Sequence, residues 1–330
     1  MPKMSTDFQR FALNGPTMGT RWSAVFHAPV NFEGAPLKLT LAAAVAEVDE
    51  QMSIWRKQSD LNRLNDAPPG QWLSLPHPLM EVLARGLEIG GASGGAFDIG
   101  LGDATGAWGF GPEAASNDTI YAARTRARLP AYEVLELDRD NRRARKHGPM
   151  TFDLNGIAKG YGVDRLSKAA EEHGIASALL AIDGELKAIG ARPDGSQWTI
   201  AIEAPDRDRR SAHSILELSD AAIATSGDYR HWVEIAGKRL AHTIDPARGM
   251  PLHASPASAT VIAADCATAD AWATAMMVLG RDRGRSLAEA QGLTVLFIER
   301  GASNELDRFG ATSRPTRSHP ATGSEFVQSR

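Results

Sequence analysis

Cysteine is almost absent from this chain, and its scarcity excludes several kinds of site. Cys266 is the only cysteine among 330 residues. No disulfide can therefore form within the chain, and no cysteine cluster can hold a metal ion. A lone cysteine in the stretch ADCATAD is more often a small buried side chain than a nucleophile. Any metal site in this chain must rest on oxygen and nitrogen ligands.

Long apolar runs and a strong net charge are missing as well. No run of about 18 apolar residues occurs, so we expect no stable insertion into a membrane. The net charge is only -4, and no stripe of Lys and Arg alternates with aromatics, which argues against a nucleic-acid partner. The first residues lack the apolar core of a secretory signal. The sequence as it stands predicts a cytoplasmic protein, or a periplasmic one if a leader is missing.

Helix and strand patterns are mixed along the chain. Helices are predicted at residues 37–52, 78–90, 158–174, 268–280 and 285–291, and strands at 20–27, 71–75, 132–138, 177–183, 186–190, 198–202, 213–219, 221–226, 232–236 and 294–299. Residues 61–72 are predicted as a loop, and the region after the glycine cluster GGASGGAFDIGLG as irregular. Because the strands are short and strict βαβ alternation is missing, we predict an α+β fold with a mixed, largely antiparallel sheet.

The stretch DLNGIAKGYGVD, residues 153–164, joins a short apolar run to a predicted helix. A glycine-rich entry into a helix leaves backbone N–H groups free, and these suit an anionic oxygen. Asp153 and Lys159 stand on either side of that turn. The alternative is an ordinary tight turn with a solvent-exposed lysine.

A site for a hard metal ion is indicated in the stretch ADAWATAMMVLG. Asp270 and Thr274 are four residues apart, so they share one face of the predicted helix. A carboxylate and a hydroxyl suit Mg²⁺, which completes its octahedron with water and phosphate oxygens. The alternative is that Asp270 only caps the start of its own helix.

Three further glycine-containing stretches carry candidate residues. Met18 in GPTMGTRW either lies against a flat ring or fills a gap in the core. Asp98 in GGAFDIGLG either approaches a ligand or caps the next element. His242 in AHTIDPARGMP lies in a loop at a strand end, where functional residues tend to be placed, although a lone histidine is more often structural.

Taken in order, the stretches MGT, GAFDIG with WGF, DLNGIAKGYGVD, ATSGDYR, HTIDPARGMP and ADAWATAMMVLG resemble the FAD:protein FMN transferases, the ApbE family. They span roughly residues 17–280. The resemblance implies a T-fold-like core that binds FAD as substrate. It also implies Mg²⁺-dependent transfer of FMN to a Thr or Ser hydroxyl of an acceptor protein, with release of AMP.

The same resemblance implies roles for individual residues. Those expected along FAD are Met18, Trp55, Ala96, Phe97, Asp98, Asp153, Lys159 and Ile244, and those expected to hold Mg²⁺ are Gly156, Asp270 and Thr274. Gly156 can offer only its carbonyl. We nominate His242 as the general base for the acceptor hydroxyl, because an imidazole titrates near neutral pH, and Asp270 as the second catalytic residue.

Three positions depart from the family pattern. Trp55 stands where many members have a tyrosine, and Ala273 where some have a second carboxylate of the metal helix. The stretch AIDGELKAIG replaces the usual Gly-Gly-Asp or Gly-Gly-Asn, so no role is transferred to Asp183. Two other functions stay open at this point: a Mg²⁺-dependent FAD pyrophosphatase, and a protein that binds FAD without catalysis.

The predicted division of the chain is an N-terminal segment at residues 1–16, the transferase domain at 17–300 and a disordered tail at 301–330. Within that tail, LDRFGATS is similar to the family's acceptor signature, in which Ser or Thr precedes Gly-Ala-Thr and Asp stands three residues before that hydroxyl residue. Here Phe309 replaces the hydroxyl residue and Asp307 is one place too close. Self-modification at Thr312 is therefore disfavoured.

Overall fold

One large antiparallel sheet forms the centre of the chain. The computed structural model describes residues 8–206, 211–229, 232–235, 237–253 and 256–300, and the backbone of 306–309 and 319–320. Its strands are β1 (Phe8–Thr17), β2 (Thr20–Pro29), β3 (Leu73–Ser74), β4 (Leu135–Asp138), β5 (Arg143–Lys146), β6 (Ala178–Ile182), β7 (Glu185–Ile189), β8 (Trp198–Glu203), β9 (Ala212–Leu218), β10 (Ala221–Gly227), β11 (Trp232–Ile235), β12 (Lys238–Ala241), β13 (Ile244–Asp245), β14 (Met250–Pro251), β15 (Ser258–Ala263), β16 (Thr294–Ile298), β17 (Leu306–Phe309) and β18 (His319–Pro320).

The helices of the described chain lie between these strands. They are α1 (Gly34–Met52), α2 (Asp60–Asp66), α3 (His77–Ala92), α4 (Gly102–Ala107), α5 (Asn117–Thr125), α6 (Ala131–Val134), α7 (Ala158–Glu172) and α8 (Cys266–Gln291). Helix α8 is interrupted at Gly280, whose φ of 70° and ψ of 179° are not helical. The break agrees with the two separate helices predicted for this region.

The main sheet has the strand order β1-β2-β6-β7-β10-β15-β16-β17. Every neighbouring pair in it is antiparallel. Helices are interspersed among these strands without βαβ repeats. The prediction of an α+β fold with a largely antiparallel sheet is therefore confirmed.

The two faces of the main sheet are covered differently. On one face α1 packs on α7 and α7 packs on α8, while α8 also contacts β10 and β15. The other face is covered by a three-stranded sheet of order β18-β9-β8. Trp198, Ile200 and Leu216 of that small sheet form a buried cluster with Ile223 and Leu296 of the main sheet.

Several local predictions were wrong. Residues 61–66 of the predicted loop belong to α2, because the Ser59 side chain accepts a hydrogen bond from the Asn62 amide and Leu61 and Leu64 are buried. The predicted strand at 132–138 begins as the short helix α6 and becomes β4 only at Leu135. The region predicted as irregular contains α4 and α5, and strand β15 was not predicted.

The ends of the chain bear on the predicted domain limits. Strand β1 pairs with β2 from Phe8 to Thr17, so residues 8–16 already belong to the main sheet. Strand β17 pairs with β16, and Thr312 lies outside the described residues. In the described part of the chain, no helix has the length and apolar character needed to cross a membrane.

Candidate active site

One large cavity brings together all the residues predicted for the site. Its volume is about 1230 Å³. The predicted residues that line it are Met18, Trp55, Ala96, Phe97, Asp98, Asp153, Gly156, Lys159, His242, Ile244, Asp270 and Thr274. They come from the β1–β2 turn, the segment after α1, the α3–α4 loop, the β5–α7 loop, the start of α7, the β12–β13 region and α8. Segments far apart in sequence thus meet at one place.

Asp270 is fixed at this cavity by close packing of two helices. A Cβ atom added at Gly160 of α7 would lie 2.3 Å from the Cys266 carbonyl oxygen and 2.8 Å from the Asp270 Cβ. Only glycine therefore allows α7 and α8 to approach this closely. The Gly160 amide donates a hydrogen bond of 3.0 Å to Asp270 Oδ2. The helix is capped by Asp265, which accepts from the Thr268 amide, so the reading of Asp270 as a cap is wrong.

The environment of Asp270 favours a bound cation. The pKa of Asp270 is raised to about 7, because burial and then the negative charge of Glu185 outweigh the opposite effects of Lys159 and the Gly160 amide. A buried carboxylate of this kind gains more from a nearby positive charge than an exposed one does.

Gly156 lies next to Thr274, which follows Asp270 by one turn of α8. The Thr274 hydroxyl is 3.3 Å from the Ser226 hydroxyl of β10. A Cβ at Gly156 would lie 3.1 Å from Thr274 Oγ1 and 3.2 Å from the Phe97 ring. Within the described residues, no group of three or more His, Cys, Asp and Glu side chains is arranged to hold a metal ion. A metal here would therefore depend on one carboxylate together with neutral oxygens, a donor set that fits Mg²⁺.

Lys159 is held in a buried cluster of charges. Its ammonium group lies 2.7 Å from Glu185 Oε1 and 3.8 Å from Asp183 Oδ2. Burial alone would lower the pKa of Lys159, but Glu185, Asp270 and Asp183 together outweigh it and raise the pKa above its ordinary value. Lys159 is therefore charged near neutral pH, and the reading of a solvent-exposed lysine is wrong.

Glu185 is a site residue that the sequence reasoning missed. It is buried, it lines the cavity, and its Oε2 atom has no hydrogen-bond partner within the described chain. Burial raises the pKa of Glu185, and Lys159 opposes the rise. The preceding Asp183 has a φ of 53°, in the left-handed region where glycine is usual. Glu185 follows this turn at the start of β7, and no local sequence pattern marks it as a site residue.

Asp98 and Asp153 combine a cavity position with a role in the local backbone. Asp98 accepts hydrogen bonds from the amides of Gly100 and Ala131, at 2.7 and 3.1 Å. Asp153 accepts from the Asn155 amide at 2.8 Å. Burial raises the pKa of both carboxyl groups. Each side chain thus shapes the loop that carries it and also lines the cavity.

The remaining predicted residues lie at turns and at the rim. Met18, with a φ of 44°, occupies the β1–β2 turn and packs partly into the core. Ile244 in β13 is buried against Ala104 and Trp108, which places the neighbouring His242 at the cavity. Trp55 is 62% exposed at the rim.

The fold is α+β, and its cavity combines apolar side chains with the carboxylates of Asp98, Asp153, Glu185 and Asp270 and the ammonium group of Lys159. The ApbE family model matches residues 18–297, so this chain belongs to the ApbE family.

This chain is similar both to curated proteins and to solved structures. The FAD:protein FMN transferase of Vibrio cholerae is 36% identical over 288 residues, covering 87% of this chain and 86% of the relative. A solved structure of the flavin transferase ApbE from Vibrio cholerae has a TM-score of 0.80 and 32% identity, covering 93% of this chain and 98% of that one. The apo flavinyl transferase ApbE of Pseudomonas stutzeri has a TM-score of 0.78 and 35% identity, with 92% and 95% covered.

Proposed function

We propose that this protein is an FAD:protein FMN transferase. It cleaves the diphosphate of FAD, attaches FMN through a phosphoester bond to a Thr or Ser hydroxyl of an acceptor protein, and releases AMP. The observation that supports this most is the meeting of Asp270, Thr274, Gly156 and Lys159 in one cavity. Relatives that share most of this chain carry the same enzyme name.

The residues proposed to hold Mg²⁺ are Asp270, Thr274 and the carbonyl of Gly156. They fit because all three offer oxygen and because Asp270 is a buried carboxylate with a raised pKa. Bound there, Mg²⁺ would neutralise negative charge on the diphosphate as AMP leaves. The Gly160 amide keeps one Asp270 oxygen in place, which leaves the other oxygen available to the metal.

Eight further residues that line the cavity are proposed to bind FAD: Met18, Trp55, Ala96, Phe97, Asp98, Asp153, Lys159 and Ile244. The exposed ring of Trp55 and the Met18 side chain offer apolar surfaces to the flavin. Lys159 stays charged and offsets negative charge on the diphosphate. Phosphoryl transfer needs mainly this positioning and charge compensation.

His242 is proposed as the general base. The acceptor hydroxyl gives its proton to the imidazole as its oxygen bonds to the phosphorus of the FMN half. The bond from that phosphorus to the oxygen of AMP breaks at the same centre, and AMP leaves with the electron pair. Base assistance of this kind is worth about 10²–10⁴-fold in rate.

The test is to incubate the protein with FAD, Mg²⁺ and a short synthetic peptide that carries Asp-x-x-Ser-Gly-Ala-Thr, and to weigh the peptide by mass spectrometry. We expect the peptide to become heavier by one FMN unit. One AMP should be released for each modified peptide. Free FMN and AMP with an unmodified peptide would instead identify a pyrophosphatase. Bound but uncleaved FAD would identify a storage protein.

A further inference from the structure

Part of the cavity contains none of the residues proposed to bind FAD or Mg²⁺. This part, called the β8 arm, is lined by residues 199–203 of β8 and by Leu179, Leu186 and Ile223 of the main sheet. Leu186 and Ile223 are cross-strand partners in β7 and β10. The arm therefore has an apolar floor formed by the main sheet and one side formed by a strand of the small sheet.

The side formed by β8 is the edge of that strand. Side chains alternate between the two faces of a strand, and here Ile200 and Ile202 are buried while Thr199 and Ala201 are exposed. Residues 199–203 all line the cavity, as expected where a cavity runs along the edge of a strand. In the described chain, β8 pairs with β9 alone, so its second edge is open to the cavity.

The direction of the backbone amides follows from one hydrogen bond. The amide of Ala204, just after β8, donates to the carbonyl of Ser211 on the β9 side. Successive amides of a strand point to opposite edges. The register shift between Ile202 and Glu203 leaves the extra residue, His213, on β9, so the alternation along β8 is unbroken. The amides of Ile202 and Ile200 therefore point towards β9, and those of Thr199 and Ala201 point into the β8 arm. An open edge with inward-pointing donors is a template for one more strand.

The β8 arm and the proposed reaction centre are parts of one cavity but lie on opposite faces of the main sheet. Leu186 follows Glu185 in β7, and Ile223 is three residues before Ser226, whose hydroxyl contacts Thr274. Side chains alternate along a strand, so Leu186 and Ile223 face the small sheet, whereas Glu185 and Ser226 face the helices. Asp183 and Gly184 line the cavity at the turn between β6 and β7, so an extended peptide in the arm reaches Thr274 by passing this turn.

We propose that the β8 arm is the docking site of the acceptor: an extended segment of the acceptor protein adds to the open edge of β8 as an antiparallel or parallel strand and delivers its Thr or Ser hydroxyl to the FAD diphosphate. This inference rests on the proposed function. The edge of β8 supplies backbone hydrogen bonds, and the apolar floor accepts every second side chain of the added strand.

The test compares Ala201→Pro with Ala201→Val. Proline removes the inward-pointing amide at a position where an edge strand tolerates it, whereas valine keeps that amide and changes only the exposed side chain. We expect Ala201→Pro to raise the KM for the Asp-x-x-Ser-Gly-Ala-Thr peptide by about tenfold, the worth of one hydrogen bond. FAD affinity and melting temperature should match those of Ala201→Val.

A second measurement does not depend on how the proline variant folds. Hydrogen exchange of the unaltered protein should show slower exchange at Thr199 and Ala201 when the peptide is added. Two peptides can be N-methylated at every second residue, one at the odd and one at the even positions. One of them should lose this protection, and the other should keep it.

The outcomes are distinct. Normal transfer by Ala201→Pro, or peptide transfer without protection of β8, overturns the docking site and leaves the proposed function standing. Protection of the same amides by AMP alone overturns it as well, because the arm would then bind the nucleotide. Failure of the unaltered protein to modify the peptide overturns the proposed function and this inference with it.

Discussion

Two sides of the cavity are built in different ways. The helix side consists of Lys159, Asp270 and Thr274. They lie on two long helices, α7 and α8, which pack closely together at Gly160. The loop side consists of Tyr229, His242, Thr243 and Ile244, which lie on or between strands of two to seven residues. Groups that must hold charge at a fixed place thus lie on rigid elements, and the proposed base, which must meet a second protein, lies on short ones.

The largest effect should come from the helix side. Asp270→Asn keeps the size of the side chain and an acceptor for the Gly160 amide but removes the charge proposed to hold Mg²⁺. We expect peptide flavinylation to fall by about 10³-fold, as when a charge-stabilising group is lost from a transition state. FAD affinity, followed by flavin fluorescence titration, should change less than tenfold.

The matched control for this variant lies on the same helix. Asp265→Asn alters the cap, which accepts from the Thr268 amide outside the cavity lining. Its flavinylation rate should stay close to that of the unaltered protein. Equal loss of FAD binding and transfer in Asp270→Asn would contradict a metal role in the chemistry.

The next effect should come from the loop side. His242→Ala removes the proposed base, so transfer to the peptide should fall by about 10²-fold while FAD affinity holds. His253→Ala serves as control, because His253 is exposed in the same region and does not line the cavity. Near-normal transfer by His242→Ala with FAD bound would remove His242 from the mechanism.

A smaller effect concerns the packing that holds the helix side together. Gly160→Ala forces a Cβ against Cys266 and Asp270, and overpacking of this kind costs about 1–3 kcal/mol of unfolding free energy. Gly91→Ala in α3 meets nothing within 4 Å and should stabilise by about 0.4–1 kcal/mol. Chemical denaturation of both variants measures the difference. Equal unfolding free energies for the two variants would contradict the close contact between α7 and α8 at Gly160.

The smallest effect is expected at the rim. Trp55 is largely exposed, so Trp55→Ala should leave the melting temperature unchanged. It should weaken FAD binding by about tenfold or less, the range of one aromatic contact. Trp55→Tyr should restore most of that affinity. Unchanged FAD affinity in Trp55→Ala would place the flavin elsewhere.

The sequence predicted the elements that have strong periodicity and the residues that occur in motifs. The sequence places Asp270 and Thr274 on one helix face because they are four residues apart. It does not predict the strand order of the main sheet, because that order depends on contacts between residues distant in the chain. Helix α2 was missed because it has only seven residues. Glu185 was missed because its importance comes from burial beside Lys159, which no local pattern reveals.

The central claim is that a divalent cation lies between Asp270, Thr274 and the diphosphate of FAD. The most direct test is a crystal structure with FAD and Mn²⁺ in place of Mg²⁺, in which anomalous scattering locates the metal. The account predicts one strong peak bonded to Asp270, Thr274, the Gly156 carbonyl and phosphate oxygens. A peak away from α8, or FAD bound with its diphosphate remote from Asp270, would contradict it.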